Sequence, residues 1–212
     1  MKYGILLDPG HGDRKHTPGK RSPDHSVYEG EWSREIVQGI TPILRDLGFE
    51  TREIVTIKDD VSLRTRAYRA NEIMKNFPDI HWVYVSVHIN AAAGDNQWHD
   101  ATGWSVYVSN GASEESRKLA QDFYAVAKSL KLQGNRWVPK NRYWEAGFTV
   151  LTDTKMPAIL TENLYMDNKR ESAFLASEQG KAVIIQLHVK AICDHFGVPY
   201  EMSLPKGWRS LL

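Results

Sequence analysis

The sequence predicts an α/β fold: a single domain on a twisted, mostly parallel β-sheet of about five to six strands, with helices on both faces. Two observations lead there. Short apolar runs alternate with segments of helical period along most of the 212 residues, and such alternation is the signature of parallel βαβ units. The densest run, Trp82-Val83-Tyr84-Val85-Ser86-Val87, is β-branched or aromatic almost throughout, as a strand buried on both faces must be.

In chain order, residues 2–8 are mainly apolar and stop at Asp8-Pro9-Gly10, a buried strand running into a turn. Over 31–47, Ile36, Ile40, Ile43, Leu44 and Leu47 share one helical face and Gly48 supplies the stop. Pro42 lies inside that helix; an interior proline costs about 3 kcal/mol, so a kink or break is expected there. Residues 51–57 read as a strand and 61–76 as a helix with Leu63, Ala67, Ala70 and Met74 inward. After the central strand come a strand at 104–108, a helix at 113–130, a short buried strand at 158–161 and a last helix at 179–196. The stretches 91–102 and 131–148 are polar, contain Gly, Asn and Trp, and read as long functional loops. The folded domain is assigned to 1–199. Residues 200–212 form a C-terminal tail of little periodicity, either a loose end or a docked stub, whose last several residues are expected to contribute little to activity.

Composition excludes several function classes. Lys plus Arg total 27 against 26 for Asp plus Glu, so no basic field exists to hold nucleic acid or an anionic membrane. No stretch approaches the roughly 20 apolar residues needed to insert into a bilayer. Ile5-Leu6-Leu7 is too short for a secretory core of about 7–15 residues, so the chain is expected to be cytoplasmic as synthesised. The lone cysteine, Cys193, lies in an apolar stretch and reads as a buried thiol. Without heptads or an exposed apolar stripe, a monomer is expected.

In an open α/β sheet, ligands gather beyond the carboxyl ends of the strands. His11 follows the first strand, His88 closes the strongest and Glu162 closes the last. Two neutral imidazoles and a carboxylate form a common catalytic zinc set with a fourth position left for water, and a carboxylate outside the metal shell then serves as base. Glu31, opening the first helix, supplies a third ligand in that scheme while Glu162 takes the base role. The other histidines, His16, His25, His81, His99, His188 and His195, read as solvated side chains.

These residues resemble a known family. Leu7-Asp8-Pro9-Gly10-His11-Gly12 is similar to the opening motif of the zinc-dependent N-acetylmuramoyl-L-alanine amidases of the amidase-3 type, found in bacterial autolysins and phage endolysins. Glu31, with Ile36 and Ile40 following, resembles the family's helix-opening glutamate ligand; Glu29, two residues away, competes for that role, but the helix offsets favour Glu31. Asp60-Val61-Ser62-Leu63 with Arg66, Ala70 and Asn71 resembles the Leu-x-x-Arg-x-x-x-Ala-Asn signature, and Ser86-Val87-His88-Ile89-Asn90-Ala91 the second histidine motif. Met156-Pro157-Ala158-Ile159-Leu160-Thr161-Glu162, with Tyr165 and Asn168, is similar to the segment carrying the catalytic glutamate.

The resemblance covers about residues 4–168. It implies one zinc ion held by His11, Glu31 and His88, Glu162 as general base, and hydrolysis of the amide between N-acetylmuramic acid and L-alanine in peptidoglycan, reached after release from the cytoplasm. A phage or prophage lysin is favoured over a secreted autolysin. Asn90, Trp144 and Glu145 are the candidate substrate contacts. Departures are Asn163 and Asp13, where relatives often carry Gly, and Thr152, where an arginine is common, so that the resemblance leaves the peptide-binding details open at that position. Another zinc amidohydrolase, such as a peptidase or deacetylase, and a non-catalytic wall-binding protein are the rival readings.

Overall fold

The computed structural model describes residues 2–212. Its elements in order are β1 (Lys2–Pro9), α1 (Glu29–Asp46), β2 (Glu50–Glu53), α2 (Leu63–Asn76), β3 (Ile80–Asn90), β4 (Ser105–Val108), α3 (Glu114–Ser129), β5 (Trp144–Glu145), α4 (Thr149–Thr152), β6 (Ala158–Tyr165), α5 (Lys169–Ala176), α6 (Glu178–Phe196) and a closing 3₁₀ turn (Trp208–Leu211). They form one sheet ordered β2-β1-β3-β6-β4-β5. The first four strands in that order are mutually parallel. β4 runs antiparallel to β6, and β5 is parallel to β4.

The pleat divides the core. Ile5 and Leu7 of β1 with Val83, Val85 and Val87 of β3 pack under α1, α3 and α6, where Ile36, Leu119 and Ile192 lie buried. Leu6, Trp82, Tyr84 and Leu160 pack on the opposite face against Ala70 of α2 and Leu151 of α4. Period-two alternation therefore places Asp8, Ser86, His88 and Glu162 on the α2 face, at the carboxyl ends of their strands. Caps fix where the helices begin. Ser62, Ser113, Asn168 and Ser177 each accept a backbone N–H from the first turn of the helix that follows.

α1 runs unbroken through Pro42, so the expected break does not occur. Pro42 is exposed, as is Gln38 one turn earlier, so the carbonyl that loses its donor faces the solvent side, where water can satisfy it. β5, α4 and α5 are elements that periodicity does not reveal, being two, four and eight residues long. β6 extends to Tyr165 by a bulge: His88 pairs with Glu162 but Asn90 with Tyr165, and Leu164 takes a left-handed φ of 66°. His188 and His195 are not solvated. His188 is fully buried between the Thr161 hydroxyl and the Ile184 carbonyl, and His195 is packed against Asp122. Cys193 is buried as expected. Among the described residues, no helix is long and apolar enough to cross a membrane.

The tail is a docked segment. Tyr200 donates its hydroxyl proton to Gln186 of α6 (2.8 Å), which also accepts the Ser203 N–H (2.8 Å). Trp208 is buried, its ring 6.2 Å from that of Phe174. Residues 200–212 therefore cover the same core as the rest of the chain. Trp208→Ala should lower the free energy of unfolding by about 3 kcal/mol, as loss of a buried aromatic does. Urea denaturation measures it, and an unchanged midpoint would mean that the tail contributes nothing to stability.

Candidate active site

The chain turns sharply beyond β1. His11 sits at a left-handed φ of 58°, a conformation that costs energy for a residue with a Cβ and tends to persist at functional positions. Gly10 makes room: a Cβ there would lie 2.5 Å from the His88 ring. His11 and His88 are thereby brought edge to face, their ring centroids 5.1 Å apart.

Between them stands Glu29, not Glu31. Glu29 is 2% exposed, with Oε2 3.3 Å from His11 Nε2 and Oε1 3.0 Å from His88 Nδ1. The Ile89 N–H donates to the same Oε1 at 3.1 Å. These three side chains can place one donor atom each within 4.8 Å of one another. The structure does not bring Glu31 to the histidines. Its carboxylate accepts two bonds from the Arg14 guanidinium, at 2.6 and 2.5 Å, on the outer surface. The reason is helical geometry. Residues 29 and 31 are about 200° apart around the axis. Glu29 continues the buried stripe of Ser33, Ile36 and Ile40, whereas Glu31 shares its side with Glu35, Gln38 and Pro42, all exposed. Pro42 at the eleventh residue after Glu31 was the sequence signal for the solvent face.

A hydrogen-bonded chain fixes His88 from behind. Asp8, 1% exposed, accepts from Arg66 Nη1 (2.7 Å), Tyr84 Oη (2.7 Å) and Ser86 Oγ (2.8 Å). Arg66, equally buried, also donates to the Pro9 carbonyl (2.5 Å). Ser86 has one proton and gives it to Asp8, so its oxygen accepts from His88 Nε2 at 3.1 Å. With Nε2 so engaged, Nδ1 is the nitrogen turned to Glu29, to which it donates when protonated and beside which its lone pair would serve a bound cation.

The electrostatics suit a cation. Burial pulls the His11 imidazole down to about 4, against the pull of Glu29, so its lone pair is free at neutral pH. Burial also lowers His88, but the Glu29 hydrogen bond and charge outweigh it and the net shift is upward. Glu29 is held below the usual range: burial opposes ionisation, while the His88 hydrogen bond and the two imidazoles favour it more strongly. Two imidazole nitrogens and a carboxylate are donors that fit a divalent transition metal.

Glu162 lies opposite His88 in the sheet register. Its Oε2 is shielded from solvent and has no hydrogen-bond partner, a rarity that marks a place for a ligand or a proton in transit. Burial pushes its carboxyl up to about 8, with His88 opposing and Glu29 reinforcing the shift. Asn163 braces this bulge, donating to the His88 carbonyl (2.9 Å) and accepting from Trp104 Nε1 (2.7 Å).

The expected substrate contacts divide. Asn90 is half-buried with Nδ2 unpartnered. Trp144 is half-buried, its ring 5.9 Å from Tyr107. Glu145 is exposed and faces Arg117 at 3.9 Å. The two loops beside the cleft are joined. Thr102 N–H donates to Asn135 Oδ1 (3.0 Å), Asn135 N–H to Thr102 Oγ1 (3.0 Å) and Asn135 Nδ2 to the Asp100 carbonyl (2.7 Å). Gly103 and Gly134 meet backbone to backbone there, both at positive φ, where no Cβ would fit.

A family model described as N-acetylmuramoyl-L-alanine amidase matches residues 5–194. The endolysin of Bacillus phage SPP1 is 29% identical over 199 residues, covering 92% of this chain and 66% of the relative. The probable cell wall amidase LytH of Staphylococcus aureus is 24% identical over 192 residues, covering 91% of this chain and 58% of LytH. The chain thus spans about two thirds or less of the length of these relatives. The crystal structure of N-acetylmuramoyl-L-alanine amidase from Clostridium difficile 630 superposes with a TM-score of 0.76 at 25% identity, over 92% of this chain and 97% of that one. The catalytic domain of CwlV from Paenibacillus polymyxa, at 22% identity and a TM-score of 0.74, shares the fold over 94% and 100% of the two chains.

Two outcomes are expected. Glu29→Gln should weaken binding of a divalent transition metal by roughly 100-fold or more, since loss of an outer partner alone costs about 10–100-fold, while Glu31→Gln should leave it unchanged; calorimetric titration of both variants decides between the glutamates. The second concerns pH. The Glu162 carboxyl titrates above its ordinary value of 4.5, so its contribution to stability is complete below that value and is lost as pH rises through about 8. Chelated wild-type protein should therefore lose stability relative to Glu162→Gln across that window, and parallel melting curves from pH 5 to 9 would refute the assignment.

Proposed function

This chain belongs to the N-acetylmuramoyl-L-alanine amidase family, and on that premise we propose that it hydrolyses the amide joining N-acetylmuramic acid to L-alanine in peptidoglycan, with zinc as cofactor and Glu162 as general base. The observation that carries this reading is the His11–Glu29–His88 group standing beside a buried carboxylate oxygen that has no partner.

His11, Glu29 and His88 would hold the zinc. Bound there, it would polarise the scissile carbonyl and make a water acidic near neutral pH. Glu162 takes a proton from the attacking water at Oε2 and delivers it to the alanine nitrogen as the C–N bond breaks. The products are a free lactyl carboxylate on the sugar and a free α-amine on the peptide. Lys20 and Arg136 place positive charge near Glu162 and favour its ionised, proton-accepting form. Ser86 holds His88 in one tautomer, and Asp8 holds Ser86, so the ligand nitrogen is set before substrate arrives.

A peptidase or deacetylase built on the same residues would release a different end, so the products identify the bond. Digestion of purified peptidoglycan should expose new N-terminal alanine without new reducing sugar ends or acetate. Chelation should abolish the activity and zinc should restore it. Glu162→Gln should lose at least ~100-fold in rate, the lower range for general acid–base catalysis, with zinc content and melting temperature retained. His88→Ala should lose zinc and rate together. Equal loss of zinc from both variants would make Glu162 a ligand and sink the division of roles.

A further inference from the structure

Arg136, in the loop 131–148, has no assigned part in the hydrolytic reading beyond its charge. It is half-buried, with the guanidinium carbon 5.3 Å from the centre of the Trp144 ring and 5.9 Å from that of Tyr165. The Tyr107 and Tyr165 hydroxyls stand beside it. Among the described residues, no carboxylate forms a salt bridge with it. Glu145, the acidic residue next to Trp144, faces Arg117 instead. Two arginines near the catalytic face are satisfied within the fold: the fully buried Arg66 by Asp8 and the Pro9 carbonyl, and the half-buried Arg34 by the carbonyls of Gly30, Ile57 and His11.

The neighbours of Arg136 locate it on the rim of the cleft. Tyr165 lies three residues beyond Glu162 on β6. Tyr107 pairs with Trp144, and Ser105, two residues earlier on β4, pairs with Glu162. Asn90, whose Nδ2 is shielded and unpartnered, is the register partner of Tyr165. The position of Arg136 is fixed by Asn135 immediately before it, which is bonded to Thr102 and Asp100. This part of the rim therefore offers donors, and one of them is a cation held in no salt bridge among the described residues.

Aromatic rings hold a guanidinium by its face, and the two tyrosine hydroxyls take up only part of its five N–H donors, so donors remain for a planar carboxylate. The sugar side of the scissile amide is uncharged, whereas the peptide side carries carboxylates. We propose that Arg136 is the specificity-determining residue on the peptide side of the cleft, binding a free carboxylate of the stem peptide close to the scissile bond. The proposal rests on the amidase reading and names the part of the substrate that this side of the site selects.

The test uses two synthetic N-acetylmuramoyl-peptides that differ only in whether the residue after alanine carries a free carboxylate or the corresponding carboxamide. The full zinc-loaded chain should hydrolyse the carboxylate form with at least about tenfold higher kcat/KM, and the preference should shrink as salt rises. Arg136→Gln should raise KM for the carboxylate form by about 10- to 100-fold, the range for a lost charge-assisted hydrogen bond. On the carboxamide KM should change little, any loss falling in kcat through weaker support of the ionised Glu162 and being common to both substrates, so that the ratio between substrates falls towards one. Arg136→Lys should keep part of the preference, with zinc content and melting temperature of both variants checked against wild type. Equal hydrolysis of the two substrates by wild type, or an equal loss on both in Arg136→Gln, overturns the proposal and leaves the amidase reading standing. Hydrolysis of neither by zinc-loaded wild type overturns both.

Discussion

The buried Asp8–Arg66 pair is the constraint from which the cleft is organised. Asp8 ends β1, Arg66 belongs to α2, and Tyr84 and Ser86 bring β3 to the same carboxylate. A charge so far from water survives only when fully partnered, and removing one member of such a pair costs about 3–5 kcal/mol. The same bonds determine chemistry. Because Ser86 gives its proton to Asp8, His88 must donate from Nε2, and only Nδ1 can face Glu29. A fold-stabilising contact thus sets the tautomer of a candidate ligand two hydrogen bonds away.

The second constraint is the bulge in β6. An unbroken ladder past His88 and Glu162 would continue the pleat with Asn163 and Leu164 in plain pairing. Instead the extra residue at Leu164 lets the Asn163 side chain bridge the His88 carbonyl and the Trp104 indole. Glu162 is held firmly by its backbone while its own Oε2 touches no donor. Rigidity of the chain and isolation of the carboxyl have one origin, which is how a side chain can be both well placed and chemically available.

Much of this was legible in the sequence. The run 82–87 announced the central strand because burial on both faces demands β-branched and aromatic residues. His11, His88 and Glu162 were legible because each lies at the carboxyl end of a strand, and a parallel sheet gathers those ends on one side. Glu29 and Glu31 are not told apart by motif offsets from Ile36 and Ile40; what separates them is the side of the helix, since Glu31 shares the exposed side with Pro42 while Glu29 meets the two histidines. Arg66 was seen as part of a signature, but nothing in spacing could disclose its partner 58 residues earlier. β5, α4 and α5 escaped because they are too short for a period to emerge and are defined by tertiary contacts. For the tail, sequence left a loose end and a docked stub both open, because Tyr200, Met202, Leu204 and Trp208 are apolar anchors without regular spacing; all four pack on the main core.

The junction between the two cleft loops has an evolutionary reading. Gly103 and Gly134 touch backbone to backbone, and Asn135 is bonded into the other loop through three hydrogen bonds. Neither loop can change length or acquire a side chain at the contact without displacing its partner. Variation in the two should therefore be inherited as a block, and a chimera that takes one loop from a relative should fail where a chimera taking both succeeds.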